Sequence, residues 1–349
     1  MPALTPSFMW DLESNMRVLA LRDYDRLLKR QWWPKIMKEG PKSESKKERV
    51  VWMLDTARIK DTGKGGYIPF EDIVSQTTET EMSSAAAGLK MYRNQMEDLD
   101  GNGVDAASNW SRGVGAYAAY WPQKKLAQAI RANPVTYDGL TFFNTAHPVN
   151  PFKPSAGTFA NVFTGSSSTT NGVFYPGALK IDASVSLEQA LLNLAAAITY
   201  ITGTMKMPNG EDPRNLSVAT LIVPPALSVR ATQLTDSKFI ASVAGTNAGG
   251  STDIEAVIRN FGLGAPVVAP ELGAAFGGSD TDFYIAVDEI TSSDLGAFLW
   301  IPREDFAIKF YGPTTEAQLD KMNELEWHTQ GRYGLMAGHP FLLFKCRAS

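Results

Sequence analysis

Hydrophobic positions near helical spacing open the chain. Within residues 11–32, Leu12, Met16 and Leu19, then Tyr24, Leu27 and Leu28, recur with charges between them, which predicts an amphipathic helix. Such a helix packs on its own domain or serves as an arm on a neighbouring subunit. The following "QWWPKIMKEGPKSESKKER" reads as an extended, charged connector. The pattern then turns β-branched and aromatic in "VVWMLDTARI" (50–59) and "GYIPFEDIVSQTTETEMSS" (66–84), with the glycines of "KDTGKGG" between them. That arrangement predicts a long hairpin, too polar on both faces to bury itself in one core. "AAAGLKMYRNQMEDLD" is expected to return the chain towards the body as a third strand.

Residues 104–133 read as helical, with a kink or two abutting helices at Pro122, where a backbone donor is missing. "GTFANVFTGSSSTTNGVF" reads as a small-residue surface excursion. "SLEQALLNLAAAITYITG" (186–203) is apolar on nearly all sides, with Ser186 as a cap, and predicts a buried helix. "LSVATLIVPPALSVRATQLT" predicts an apolar strand, a Pro-Pro stop and a helix from about Pro225. "DIEAVIRNFG" is a further helix, and "APVVAP", "DFYIAVDE", "GAFLWIP" and "FAIKFYG" are strand candidates. The fold class is α+β, without regular βαβ spacing or internal repeats.

Composition narrows the function. At 349 residues, 44% hydrophobic and 20% charged, the chain is an ordinary globular one, long enough for two or more lobes. A net charge of −4 argues against a protein whose main task is gripping phosphate backbone. A single cysteine, Cys346, and three scattered histidines leave no intrachain disulfide and too few soft ligands for a structural zinc site. No apolar run reaches membrane-spanning length, and the start lacks signal-peptide character, so a cytoplasm-like compartment of synthesis is expected. A chain that keeps Met1 is also expected to carry no cleaved N-terminal scaffold segment.

Chemical motifs are weak. "DLDGNG" (98–103) begins like a calcium loop, with Asp98, Asp100 and Asn102 at alternate positions, but Asn109 stands where a bidentate glutamate belongs. A polar turn accounts for it. "GNGVDA" lacks the preceding apolar strand of a dinucleotide site, and no phosphate loop, GxSxG, HExxH or CxxC occurs. His147, His328 and His339 are far apart, so packing or hydrogen-bonding roles are expected. A hydrolase using His147 remains the enzyme-class alternative. Among eight tryptophans, Trp32, Trp33 and Trp52 fall in the arm and hairpin, where little local core is expected, and this favours interface use.

"YDGLTFFNTAHPVN" (137–150) resembles the DG-x-x-FF-x-T-x-HP stretch of the Mu-like prophage major head subunit family. "LSVATLIVPPALSVRATQLTDS" (216–237) and "LEWHTQGRYGLMAGHPFLLF" (325–344) resemble further segments of that family, so the likeness spans roughly 104–349. The resemblance implies a non-enzymatic major capsid protein with the fold first known from phage Hong Kong 97 (HK97). Its expected parts are an N-terminal arm (1–48), an extended loop (49–103), a peripheral domain with a spine helix (104–175), an axial domain (176–300) and a return to the peripheral domain (301–349).

By this resemblance the histidine stretch is a structural turn leaving the spine helix. The implied function is self-assembly into hexamers and pentamers of an icosahedral shell that encloses double-stranded DNA without reading its sequence, with no cofactor and no membrane. Portal, scaffold and possibly decoration proteins are the further partners, and the virion, assembled in the host cytoplasm, is the location. An encapsulin-like cellular compartment is the alternative within the same fold. Interface candidates are Trp32, Trp33, Trp52, Lys60, Lys64, Tyr67 and Phe70. Lys60 or Lys64 is the candidate for an intersubunit isopeptide bond, as some relatives form.

Overall fold

The structure, a computed structural model, describes residues 5–53, 75–98, 102–170, 173–236, 263–289, 296–312, 315, 318 and 324–348. Thr5 caps the first helix, α1 (Pro6–Leu28), by accepting from the Phe8 amide, and Pro6 occupies the first turn, where no amide donor is required. Leu12 and Met16 of the predicted stripe are buried with Met9, while Leu19, Tyr24, Leu27 and Leu28 are half-buried and the charged Glu13 and Asp23 are buried beside them.

A 3-10 turn at Trp33–Lys35 leads into β1 (Met37–Glu39). Strands β2 (Lys47–Met53) and β3 (Ser75–Glu81) pair antiparallel as an isolated two-stranded ribbon. Cross-strand ion pairs, Lys47 with Glu81 and Arg49 with Glu79, each at 3.3 Å, lie on its exposed side. This is the base of the expected hairpin. Lys60, Lys64, Tyr67 and Phe70 lie outside the described residues.

Strand β4 (Ser83–Tyr92) does return the chain, but it does not extend the ribbon. It pairs instead with the long C-terminal strand β14 (Glu324–Ala337), where Leu89 stands opposite the fully buried Trp327. After α2 (Arg93–Asp98) comes α3 (Asn102–Ala132), one helix that continues through Pro122 rather than breaking there. An internal proline costs a helix about 3 kcal/mol. Here the adjacent Gln123 is anchored on both sides by buried hydrogen bonds to Trp32 and Glu271, which hold the helix through the defect.

Short strands follow: β5 (His147–Pro148) with β6 (Thr158–Phe159), β7 (Val162–Phe163), and β8 (Ser168–Thr170) with β9 (Val173–Tyr175). The expected surface excursion is therefore partly core, since Phe159, Asn161 and Phe163 are buried. Helix α4 (Leu187–Thr204) starts at Ser186, whose hydroxyl accepts from the Gln189 amide at 3.1 Å. Ser186→Ala is expected to lower stability by about 1 kcal/mol, read as a shifted denaturation midpoint with unchanged slope.

Strand β10 (Leu216–Val223), a 3-10 turn at Pro225–Leu227 and α5 (Ser228–Asp236) reproduce the predicted strand, stop and helix. The predicted helix at 253–262 lies outside the described residues. Strands β11 (Val267–Val268), β12 (Phe283–Glu289), β13 (Phe298–Tyr311) and β15 (Leu343–Cys346) complete the chain. "GAFLWIP" and "FAIKFYG" are not two strands. They form the single β13, whose register against β14 shifts between Pro302 and Glu304 and again before Ala307. Such bulges bend a strand without ending it.

Two larger sheets result, a four-stranded one ordered β1-β13-β14-β4 and a five-stranded one ordered β11-β10-β12-β15-β7. One core, with Leu194, Ile198, Ile222, Ile285 and Phe344, lies between the five-stranded sheet and α4 and α5, and continues to Phe142 and Phe298. A second joins α1 and α3 to the four-stranded sheet through Met9, Met16, Ala107, Ile308 and Trp327. The expected boundary at 300/301 falls inside β13, and β7 and β15, from either side of residues 176–300, share a sheet with β10 and β12. Among the described residues, no helix is long and apolar enough to cross a membrane.

Candidate functional site

The stretch 137–150 begins just after α3 and folds back on itself. Asp138 accepts from the Leu140 amide at 3.0 Å and from the Thr136 hydroxyl, closing a tight turn. Gly139 takes a φ of 80°, which a side chain would oppose. Nine residues on, His147 places Nδ1 2.6 Å from Asp138 Oδ2 and Nε2 3.0 Å from the Phe142 carbonyl oxygen. Both ring nitrogens face acceptors, so the two bonds are made together only when both carry a proton.

Burial pushes the Asp138 carboxyl up, but hydrogen bonds from His147, Thr136 and the Leu140 amide, with the nearby imidazole charge, outweigh it and hold the group below its ordinary value. His147 is fully buried and stacks on Phe159. With both nitrogens engaged and the ring fully buried, it presents no face to a substrate. The motif is a clasp, as the structural reading of the stretch expects, and the hydrolase alternative has no open base here.

Asn161 fastens this clasp to the C-terminus. Its side-chain amide donates to the carbonyls of Phe142 (2.6 Å) and Pro340 (3.0 Å), and its oxygen accepts from the Asn144 amide (2.8 Å). The sequence reading passed over Asn161 because it lay in a small-residue run. A lone asparagine between apolar Ala160 and Val162 was the available signal.

The other two histidines have separate roles. His328 lies against Tyr311, with ring centroids 4.4 Å apart. His339 is fully buried among Trp52, Tyr137 and Phe341. Burial, reinforced by the Arg214 charge, lowers its pKa to about 3, so its ring is neutral. Among the described residues, no three His, Cys, Asp or Glu side chains gather to hold a metal. Asp98 ends α2 and Asn102 begins α3, while residues 99–101 of the calcium-like run lie outside the described residues.

The tryptophans expected at an interface are buried within the protomer. The Trp32 amide donates to Gln123 Oε1 (2.9 Å) and its indole to Glu271 Oε2 (3.2 Å), while Gln123 Nε2 donates to Glu271 Oε1 (2.7 Å). Arg131 binds the Glu271 carbonyl. The arm, α3 and the 3-10 turn at Pro270–Leu272 are thus tied by one buried polar network. Trp52 docks the ribbon: its indole donates to Thr78 Oγ1 at 2.6 Å and packs edge-on against His339. A Cβ at Gly338 would lie 2.8 Å from its ring. These contacts account for Trp32 and Trp52 without a neighbouring chain.

A groove of about 420 Å³ opens between α1, α3 and the bulged part of β13, walled by Trp33, Pro122, Trp300, Phe306 and Tyr333. Its walls are mainly apolar and its rim carries Arg17, Glu39, Asp305 and Arg332. This is the composition of a surface that is covered on association, with an apolar centre and a charged rim.

No curated protein matches the chain. Residues 28–175 match the family model described as Mu-like prophage major head subunit gpT. Among solved structures, the chain is similar to the capsid of cyanophage P-SCSP1u, at a TM-score of 0.51 and 11% identity over 89% of this chain and 86% of that one. It is also similar to a virus-like particle from Pyrococcus furiosus (TM-score 0.48, 11% identity, 96% and 98% covered). The procapsid of bacteriophage JBD30 is a third (0.47, 12%, 99% and 77%). At these identities the likeness concerns the fold alone, and the assignment rests on the cyanophage capsid. The family match takes in the end of the arm and the ribbon, which the motif resemblance over 104–349 left out, and ends before the two C-terminal motifs. The chain therefore has the HK97-like capsid fold, and its residues 28–175 are similar to the Mu-like prophage major head subunit.

Proposed function

We propose that this protein is the major capsid protein of a tailed bacteriophage, building by self-assembly the icosahedral shell that encloses double-stranded DNA. The observation that carries this reading is the family match across 28–175, a span that holds both the projecting ribbon and the His147 clasp. It favours a phage head over an encapsulin-like compartment. The function is structural rather than catalytic, and the protein resides in the virion after assembly in the host cytoplasm.

The division of labour follows the fold. The arm (1–48), extended loop (49–103), peripheral domain (104–175 with the C-terminal return) and axial domain (from 176 to the start of β13) are the proposed parts. The Trp52 face of the ribbon packs on the protomer itself, the side with the Lys47–Glu81 and Arg49–Glu79 pairs is exposed, and laying the ribbon on a neighbour supplies further packing. Lys60, Lys64, Tyr67 and Phe70, in the sequence joining β2 to β3, are the proposed contacts there. Hexamers and pentamers reuse these contacts, and closure leaves no unpaired edge. Portal, scaffold and decoration proteins are the proposed partners.

Sedimentation and negative-stain electron microscopy of the purified chain test the proposal. Closed particles or capsomer rings are the expected result. A homogeneous monomer or dimer that persists with a co-expressed scaffold or crowding agent overturns it.

A further inference from the structure

Helix α3 departs from the charge of its chain. It carries Arg112, Lys124, Lys125 and Arg131 against the single anion Asp105, a net of +3 in a protein of −4. Two of these cations are displayed in an unusual setting. Lys124 Nζ lies 5.5 Å from the Tyr117 ring centroid and 5.3 Å from that of Trp121, and it donates to the Tyr117 hydroxyl at 2.8 Å. Lys125 Nζ lies 5.0 Å from the Trp121 centroid. Tyr117, Tyr120 and Trp121 form a continuous aromatic bed, braced from β14 by Tyr333.

Among the described residues, neither ammonium has a carboxylate partner. The one acid beside the bed, Glu271 near the Tyr120 hydroxyl, is buried and already occupied by Trp32 and Gln123. Most exposed lysines on a mildly acidic protein find a carboxylate or move freely in water. These two are held in place by rings, with their charge left unneutralised. Tyr117 is about half exposed, so the patch faces outward from the protomer.

We infer that the Tyr117–Lys125 face of α3 is a sequence-independent contact for the backbone of duplex nucleic acid. The chemistry favours phosphate over base: the lysines donate as point charges, which suit phosphate oxygens, and lack the bidentate fork that reads a base edge. This inference rests on the shell reading, in which the protein encloses DNA. It adds a local cationic contact to a container that is acidic as a whole, which keeps the grip weak and reversible.

The test uses the full-length chain as unassembled subunits or capsomers and fluorescence anisotropy with labelled duplexes of about 30 base pairs, in two unrelated sequences, across a salt series. Both duplexes are expected to bind alike. Lys124→Gln with Lys125→Gln should lower the slope of log affinity against log salt by roughly 2, at about 0.9 per phosphate contact. Lys124→Arg with Lys125→Arg should keep it. Electron microscopy of the same variants checks that shells still form, so a folding defect is not mistaken for lost binding. An unchanged salt slope in the glutamine variant, with shells intact, overturns the inference and leaves the capsid reading standing. Lysine-dependent binding to polyglutamate with none to duplex also overturns it, assigning the face to an acidic protein segment. Failure of the unaltered chain to form shells or rings strikes the capsid reading instead.

Discussion

Asp138→Ala is expected to destabilise the subunit by about 1–3 kcal/mol, because it leaves the buried His147 Nδ1 without its hydrogen-bond partner. The Asp138 and His147 side chains are 2% and 0% exposed, so water cannot replace the lost partner. Chemical denaturation of unassembled subunits measures the loss. His147→Ala should cost a similar amount, and the double variant should cost less than the two singles added, since each single strands the other group.

Acid provides an independent check with a defined sign. The native Asp138 carboxyl lies below its unfolded value, so the unfolded chain takes up a proton first. Its contribution is complete above the ordinary carboxylate range and is lost as pH falls through the depressed native value. Asp138→Asn should therefore show a flatter decline in melting temperature than the natural chain below about pH 5. A decline of equal steepness in both would count against the clasp.

Gly115→Leu is expected to detach α1 from α3 and prevent shell formation. A Cβ at Gly115 would stand 2.8 Å from the Ala20 Cα and closer still to its carbonyl, and a backbone atom cannot swing aside as a side-chain end can. The helices must separate, exposing Met9, Leu12 and Met16, at a cost of about 3 kcal/mol or more. Limited proteolysis should then cut the arm faster, and sedimentation should show no large particles. Gly113→Ala, two residues away, is the control. Nothing lies within 4 Å of its added Cβ, so it should be neutral or stabilising by up to about 1 kcal/mol through helix propensity. Equal behaviour of the two variants would show that close packing of α1 on α3 is not what holds the arm.

The elements written most plainly in the sequence were those fixed by local chemistry. Ser186 caps α4, Pro225 opens the turn before α5, and Leu12 and Met16 of the α1 stripe are buried, because caps, prolines and helical spacing act within a few residues. The motif around His147 was visible as a signature, and its structural role follows from contacts between residues nine apart. The places where sequence reasoning stopped short are those where distant chain decides. Of the two alternatives at Pro122, a kink or two abutting helices, the second is excluded, because Trp32 and Glu271 grip the neighbouring Gln123 and one helix runs through. Strand β4 returns the chain towards the body as expected, but its partner, β14 with Trp327 opposite Leu89, was not legible in the sequence.

The arm tryptophans show the same division. Their size and position suggested an interface, but buried partners 91 and 239 residues away in sequence, Gln123 and Glu271, claim Trp32 for the protomer's own core. Sequence alone determined the α+β class, the helix caps, the strand-turn-helix order and a family signature, all encoded over short distances. Only the tertiary structure decided which strands share a sheet, which aromatics remain outside and which acid holds His147, because burial and pairing depend on what the rest of the chain brings alongside.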